Sequence, residues 1–416
     1  MESPIDQRIW KYLFHGTAAF FTAGIALSLW NERRKSLSSL NEPFSRLSKC
    51  KSGDEQAAIL QDIQSALMED AQKKKGAARM SVQQNAAALM RCLKLASDGS
   101  NSAAVELAIR IVVRVFGSDV SGRVRLHKAG GYRLLMSVLS ESHRQGNRRV
   151  MEAAATALLA ATEVDDSELV LAHDVPAGAE GACSLTKFPS TVKMLRILDP
   201  NAPIVFLNAL TGIFANLTAL RSGAVAIGAG TDGVSGMEYF LRLLGHGNQG
   251  IVEHAARTIR FLARAGVGQR ELCTEEAVAS LGSVFDVNRD PKITNAILTI
   301  VLIMIDGDNR KEFLHLVEHK SDILPTLFQV WCRGTEKTVR DRAEFLVHLL
   351  DRTDCTVTIR RLMEGNRNQI LERKSKDEEA KRKQMQQMKQ QQMMQQMMMM
   401  QEMGGGMDPS MMGMEQ

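Results

Sequence analysis

The sequence predicts an all-α protein, built as a right-handed solenoid of repeated helices. Six apolar segments recur, and each has an alanine near its start followed by large apolar residues at helical spacing. The segments are Leu107–Phe116, Ala154–Thr162, Asn208–Thr218, Ala255–Arg264, Asn295–Met304 and Arg342–Leu350. The alanines at 108, 155, 209, 256, 296 and 343 follow one another by 47, 54, 47, 40 and 47 residues, the size of a helical repeat. Helices this apolar must be covered by neighbours.

Residues 9–30 are predicted to form a transmembrane signal anchor. From Trp10 to Trp30 the chain is apolar, and twenty helical steps of about 1.5 Å span the hydrocarbon core of a bilayer. Both tryptophans can lie among the headgroups, and Lys11 can extend to the interface. The basic flank that begins with Arg33 and Arg34 favours the cytosol or matrix for the C-terminal side. A cleaved signal peptide and a buried soluble helix are the alternatives.

The predicted anchor indicates where in the cell the protein is located. A short, moderately hydrophobic span with a basic C-terminal flank resembles the signal anchors of mitochondrial outer-membrane proteins. We therefore expect a single-pass protein of that membrane with its solenoid in the cytosol, and the endoplasmic reticulum or another organelle membrane is the alternative. Residues 1–8 form a short N-terminal segment and residues 31–54 a linker. Small residues in the span leave a homo-oligomer open, and no other feature supports one.

Residues 55–365 are predicted to form the solenoid. Second helices alternate with the apolar segments, at Gly131–Leu139, Thr191–Leu198, Gly236–Leu244, Ala277–Phe285 and Ile323–Trp331. Gly131–Leu139 resembles the second helix of an armadillo repeat and Asn208–Thr218 its third helix. HEAT repeats are the near alternative. Residues 172–190 interrupt the rhythm with Gly, Ala and Pro, which predicts a loop.

The armadillo resemblance implies a concave face of third helices that binds a protein partner. Arg114, Asn216, Arg257, Arg260 and Arg264 are the residues we expect on that face. Peptide-binding members of the family carry an asparagine ladder on the third helix. Asn216 fits that ladder here, whereas the equivalent places hold Val115, Thr162, Ala263, Ile303 and Leu350. This departure argues against the binding of an extended peptide through such a ladder and against an importin-like role.

Residues 366–416 form a low-complexity tail, first charged and then rich in Met and Gln. More than half of the 23 methionines of the chain lie there. Without β-branched or aromatic residues in its Met/Gln-rich part, the tail cannot build a packed core, so we expect it to be disordered or a helix of coiled-coil type. Its composition resembles the Met- and Gln-rich C-termini of some chaperones and co-chaperones.

The chain lacks the sequence signatures of an enzyme. Gly228–Gly233 matches GxGxxG but follows a helix instead of a strand, so it is interpreted as a loop. His315, Glu318 and His319 match HxxEH without a suitable third ligand, so we expect no metal. The six scattered cysteines form no CxxC pair and suggest buried thiols in a reducing compartment. A net charge of +5 without a basic stripe predicts no nucleic-acid binding.

These observations predict a membrane-anchored scaffold for protein–protein interaction, without cofactor, catalytic residues or small-molecule substrate. The alternative is a tethered co-chaperone or protein-import factor whose Met/Gln-rich tail holds hydrophobic segments.

Overall fold

The computed structural model describes residues 40–404, with gaps at 41, 48, 51–52, 73–76, 99–100, 118–119, 164–179, 188 and 354. Over these residues the protein is all-α, as predicted. The first helices are α1 Gly53–Gln72, α2 Ala77–Gln84, α3 Ala86–Asp98, α4 Ser102–Phe116, α5 Val120–Lys128, α6 Gly131–Arg144, α7 Arg148–Thr162, α8 Glu180–Thr186, α9 Pro189–Lys193 and α10 Ile204–Thr218. The chain continues with α11 Arg221–Gly228, α12 Gly236–Leu243, α13 Gln249–Arg264, α14 Glu275–Val284, α15 Pro291–Asp306, α16 Arg310–Lys320, α17 Ile323–Arg333, α18 Lys337–Leu350, α19 Thr356–Gly365 and α20 Arg367–Gly404.

Six helices pack side by side in sequence and form one wall, which we call the inner row: α4, α7, α10, α13, α15 and α18. Each contains one of the six apolar segments that define the repeat in the sequence. Polar caps position several of their first turns. The side chains of Asn101, Asn147, Asn248 and Asp290 accept hydrogen bonds from backbone N–H groups at the starts of α4, α7, α13 and α15.

The apolar helix α10 lies in the middle of this wall and packs on α7 and α13. From Phe206 to Leu220 every residue is buried except the half-buried Asn208. Gly212 makes this close packing feasible. A Cβ at that position would lie 2.6 Å from Cδ1 of Leu159 on α7 and 3.1 Å from Nε2 of His254 on α13. The predicted coverage of Asn208–Thr218 is confirmed.

The second helices α6, α12, α14 and α17 also lie where the sequence predicts them. The exception is Thr191–Leu198, where α9 ends at Lys193 and a single 3₁₀ turn, Met194–Ile197, follows. Between α13 and α14 the chain makes turns instead of a first helix, with Gly266 and Gly268 at positive φ. The missing helix accounts for the shortest repeat.

Two segments with loop-like composition are ordered by packing. Leu40, Phe44 and Leu47 are buried in the core, so the core begins inside the segment assigned to the linker. The predicted loop 172–190 lies outside the described residues at 172–179 and 188, but it contains α8 and the first two residues of α9, so the prediction is wrong for Glu180–Thr186 and for Pro189 and Ser190. The reason is the close approach of Gly181 to the ring of Tyr132, where a Cβ would lie 2.2 Å from Cε2.

The tail from Arg367 to Gly404 is a single helix, α20. Its first turns pack on α17 and α19, and Ile370 contacts the core. Asp377 lies 2.8 Å from Nη2 of Arg373 and 3.8 Å from Nη2 of Arg340, so it ties α20 to the end of the solenoid. Beyond this point methionines such as Met385 and Met393 are more than half exposed.

The membrane prediction concerns residues outside the described part of the chain. Residues 9–30 are not described, and neither are the flanking Arg33 and Arg34. Among the helices that are described, none combines the length and the apolar character needed to cross a bilayer.

Candidate protein-interaction surface

The inner row presents one acidic or amide side chain per helix at the same place. It is the fifth residue of each helix, and we call this set the fifth-residue row: Glu106, Glu152, Asn208, Glu253, Asn295 and Asp341. Residues four places apart lie on one helix face, so the row continues onto the ninth residues, which include Arg110, Thr156 and Arg257. Because the helices pack in sequence, the row crosses the whole wall.

Three glutamates of this row lie beneath cations. Glu106 is paired with Arg110 on α4, Glu152 with Arg148 on α7 at 2.7 Å, and Glu253 on α13 with Lys292 on α15 at 3.2 Å. The exposed fractions of the three glutamate side chains are 25%, 23% and 24%, while those of their cations are 58%, 66% and 73%. An approaching partner therefore meets positive charge before it meets the carboxylates.

The amides of the row have different surroundings. Asn295 accepts a hydrogen bond from Arg342 on α18, whose Nη1 also donates to Oγ1 of Thr299 at 3.0 Å. This bridge joins the last two inner helices. By contrast, Oδ1 of Asn208 is buried and accepts no hydrogen bond from the described residues.

His254 lies beside this part of the row, where α13 meets α10. Its Nδ1 is buried and has no hydrogen-bond partner among the described residues. Burial lowers the pKa of His254 below its usual range, and Arg257 and Lys292 lower it further, while the neighbouring Glu253 opposes the shift. The imidazole is therefore neutral near pH 7.

A groove of about 890 Å³ runs between α1, α4 and α7. Its lining combines aliphatic and charged side chains and includes Leu67, Val113, Arg110, Arg114 and Arg149. A groove of this kind can hold an extended segment, with apolar contacts below and guanidinium donors above.

Four of the five residues predicted to bind a partner lie on this wall, and each is at least partly accessible. Arg114 borders the groove and contacts the sulfur of Met68. On α13, the guanidinium carbons of Arg257 and Arg260 lie 5.8 and 4.6 Å from the centre of the Phe261 ring. Arg264 is exposed one turn further along.

Asn216 has a different position from the one expected. Only 2% of the residue is exposed, and its Nδ2 donates to Oγ1 of Thr162 at 3.3 Å and to the carbonyl of Leu159 at 3.5 Å. Its amide therefore joins α10 to α7 and is not accessible to a partner.

Alignment of the repeats on their alanines does not reveal the fifth-residue row, because the distance from the helix start to the alanine differs between repeats. The caps would have revealed it. Asn101, Asn147, Asn248 and Asp290 immediately precede their helices, and counting five residues onward from each reaches the row. Counted in this way, Glu253 and Asn295 are equivalent, whereas alignment on Ala256 and Ala296 places them two residues apart.

The two enzyme-like motifs lie in a turn between helices and in a contact between helices. Gly230 and Gly233 have positive φ in a tight turn between α11 and α12, closed by backbone hydrogen bonds between Thr231 and Val234. On α16, Glu318 accepts a hydrogen bond from Thr358. In the described part of the chain, no three His, Cys, Asp or Glu side chains lie close enough together to hold a metal ion.

Comparisons with known proteins address the fold. No protein-family model matches the chain, and neither does any curated protein. A solved structure from work on a phosphorylation switch in the interaction between cadherin and beta-catenin matches with a TM-score of 0.58 and 16% identity. The match covers 77% of this chain and 63% of that chain.

Designed proteins are also similar. One of the computationally designed armadillo repeat proteins for modular peptide recognition has a TM-score of 0.46 and 14% identity, over 62% of this chain and 97% of that one. A second designed armadillo repeat protein has a TM-score of 0.45 and 14% identity, over 58% and 92%. At such identities the likeness concerns the fold alone. The described residues form an α-helical solenoid by the packing of the inner row, and the solved structures to which the chain is similar include designed armadillo repeat proteins.

Proposed function

We propose that this protein is a non-catalytic scaffold whose inner row binds an extended segment of a protein partner. The observation that carries the proposal is the fifth-residue row, which repeats one polar side chain per helix along a continuous wall. An extended segment has unpaired backbone N–H and C=O groups at regular intervals. A regular row of carboxylates, amides and their paired cations can satisfy those groups.

We further propose that residues 9–30 tether the scaffold to a membrane, with Trp10 and Trp30 at the two interfaces and the solenoid in the cytosol. The mitochondrial outer membrane is the proposed site, on the strength of the short span and its basic flank. The test is protease treatment of intact mitochondria that carry a C-terminally tagged chain. Loss of the tag without rupture of the outer membrane is expected, and a protected tag contradicts this topology.

A tethered co-chaperone is the second candidate, and the exposed methionines of α20 favour it. Met385, Met388, Met393, Met394 and Met398 are between 55% and 60% exposed. Methionine is flexible and polarisable, so such a helix adapts to irregular apolar surfaces. Deletion of residues 384–416 separates the candidates, because it abolishes the holding of hydrophobic clients in the second candidate and spares partner binding in the first.

Photo-crosslinking tests the scaffold proposal directly. A photoreactive amino acid replaces Thr156, which is exposed on the inner row, or Ser283, which is exposed on α14 outside it. We expect a discrete protein adduct from position 156 and none from position 283. Equal adducts from both positions, or none from position 156, would refute binding at the inner row.

A further inference from the structure

We infer that the exposed part of α20 binds copper(I) through two pairs of methionine thioethers. Met385 and Met388 form the first pair, Met394 and Met398 form the second, and each pair binds one ion. This binding site is separate from the inner row. The inference therefore goes beyond both candidate functions, and it holds whether or not the inner row binds a partner.

The four methionine side chains are open to a ligand. Their exposed fractions lie between 55% and 60%. The helix is held to the solenoid further upstream, by Ile370 in the core and by Asp377, which lies 3.8 Å from Arg340. From 378 to 396 every side chain of α20 is exposed. The four thioethers therefore take no part in the core, and α20 presents them to the solvent.

The composition of this region indicates that sulfur, and not apolar surface alone, is what the methionines supply. Residues 384–416 contain thirteen methionines and no leucine, isoleucine, valine, phenylalanine, tyrosine or tryptophan. By contrast, every helix of the inner row contains leucine. Leucine and methionine have similar helix propensities, so a helix that needed only an apolar surface could use leucine. What methionine adds is a soft, polarisable sulfur atom.

Helix geometry brings the two sulfurs of each pair together. Met385 and Met388 are three residues apart and Met394 and Met398 are four apart, so the Cβ atoms of each pair are about 5–6 Å apart on one face. The flexible side chains can turn both sulfurs toward one ion. Six residues, or about 9 Å along the axis, separate the two pairs, so each binds its own ion. The other residues three or four places from Met385 and Met388 are Gln, Lys and Arg, so this pair is isolated from further methionines.

The donor set favours copper(I) over other metal ions. Thioethers are soft ligands and select copper(I). From Gln384 to Gln401 the chain contains no Cys, His, Asp or Glu, so zinc, calcium and magnesium lack the ligands that they prefer. Lys389 adjoins the first pair, and its positive charge repels a divalent ion more strongly than a monovalent one.

The test is NMR of the full-length chain in a non-ionic detergent, with ¹³C at the methionine methyl groups. Copper(I) is added without oxygen to a Cys183→Ser background, because Cys183 is the one cysteine of the six that is not buried. We expect the methyl signals of Met385 and Met388 to shift together. The signal of Met68 should not shift, because this side chain is 46% exposed on α1 but has no methionine three or four residues away.

Substitution of one member tests the pairing. In Met385→Leu the thioether of Met388 is left alone, and we expect its shift to require at least about tenfold more copper(I), because the second ligand of the same ion is gone. Met394→Leu is the matched control, since it makes the same change on the same helix outside the first pair, and it should leave the response of Met388 unchanged. Leucine keeps the apolar surface and the helix propensity. An unchanged circular dichroism spectrum confirms that each variant is folded.

Three results would overturn the inference. If no methionine signal of α20 shifts, this helix does not bind copper(I). If Met68 shifts as much as Met388, the ion contacts any exposed thioether and the paired site is refuted. If Met385→Leu and Met394→Leu leave the response of Met388 equally unchanged, Met385 is not its partner. None of these results bears on crosslinking at position 156, which decides the scaffold proposal separately.

Discussion

Asn216 offers a decisive contrast between a structural and a binding residue. The armadillo resemblance assigns its amide to partner binding, whereas the structure buries it between α10 and α7. Asn216→Ala removes the hydrogen bonds to Thr162 and Leu159 and leaves a small cavity. Thr162 keeps its own bond to the carbonyl of Leu158 at 2.7 Å, so its hydroxyl does not become unpaired. We expect a loss of about 1–2 kcal/mol in the free energy of unfolding.

The assay is urea unfolding followed by circular dichroism. With a slope of about 3 kcal/mol per molar urea, the expected loss lowers the midpoint by about 0.5 M. Thr162→Val, alone and combined with Asn216→Ala, completes a double-mutant cycle. Because the bond between the two side chains is long, a coupling energy of about 0.5 kcal/mol is expected. Unchanged stability together with weaker crosslinking of the partner at position 156 would refute the structural role and restore Asn216 to the binding surface.

Three further predictions concern buried groups. Because burial lowers the pKa of His254, the unfolded chain binds more protons than the folded chain below pH 6.5, so the free energy of unfolding should fall as the pH falls. His254→Gln should make the urea midpoint less dependent on pH, and a parallel fall in both proteins would contradict this. Tyr132→Phe removes a buried bond of 2.6 Å from Oη to the carbonyl of Ala161, and calorimetry should show about 1–2 kcal/mol of destabilisation; an unchanged melting temperature contradicts it. Alkylation at pH 8, followed by mass spectrometry, should label the half-buried Cys183 first and Cys92 last, because burial and the nearby Cys50 raise the pKa of Cys92 to about 12. Early labelling of Cys92 would contradict its burial.

The inner helices were predictable because their apolar residues recur with a helical period, and this signal lies within each segment. The same holds for the second helices, such as α6 after Gly130, which adopts a φ of +74°. Elements whose order comes from distant contacts were not predictable. The sequence around Gly181 predicts a loop, because the contact with the distant Tyr132 is not visible in it. The sequence around Phe44 predicts a linker, because nothing in it shows that this side chain is buried in the core.

The candidate surface was predictable only in part, for a physical reason. The arginines of α13 stand out because they interrupt an apolar helix at helical spacing. The fifth-residue row does not stand out, since its members differ in charge and are equivalent only when the repeats are aligned by their helix starts. Burial of Asn216 depends on how closely α7 approaches α10, which the sequence of α10 alone does not specify.

Glu253 distinguishes an acidic partner from a basic one. Its carboxylate lies 3.2 Å from Nζ of Lys292, which is 73% exposed. If the cations bind the partner, Glu253→Gln releases Lys292 from its pair, and a synthetic acidic peptide should bind about two- to fivefold more tightly, the range of one exposed ion pair. If the carboxylates bind the partner, the same change weakens the binding of a synthetic basic peptide.

Glu238→Gln is the matched control for this substitution. Glu238 forms a comparable pair with Arg242, at 2.6 Å, on the second helix α12 and away from the inner row. Its substitution releases Arg242, which is 58% exposed, at a place where the partner does not bind, so the affinity should stay the same. A gain at Glu253 with no change at Glu238 assigns the effect to the position of the freed charge, because the two variants have the same net charge. A gain in both would assign it to net charge alone and would contradict recognition by the inner row.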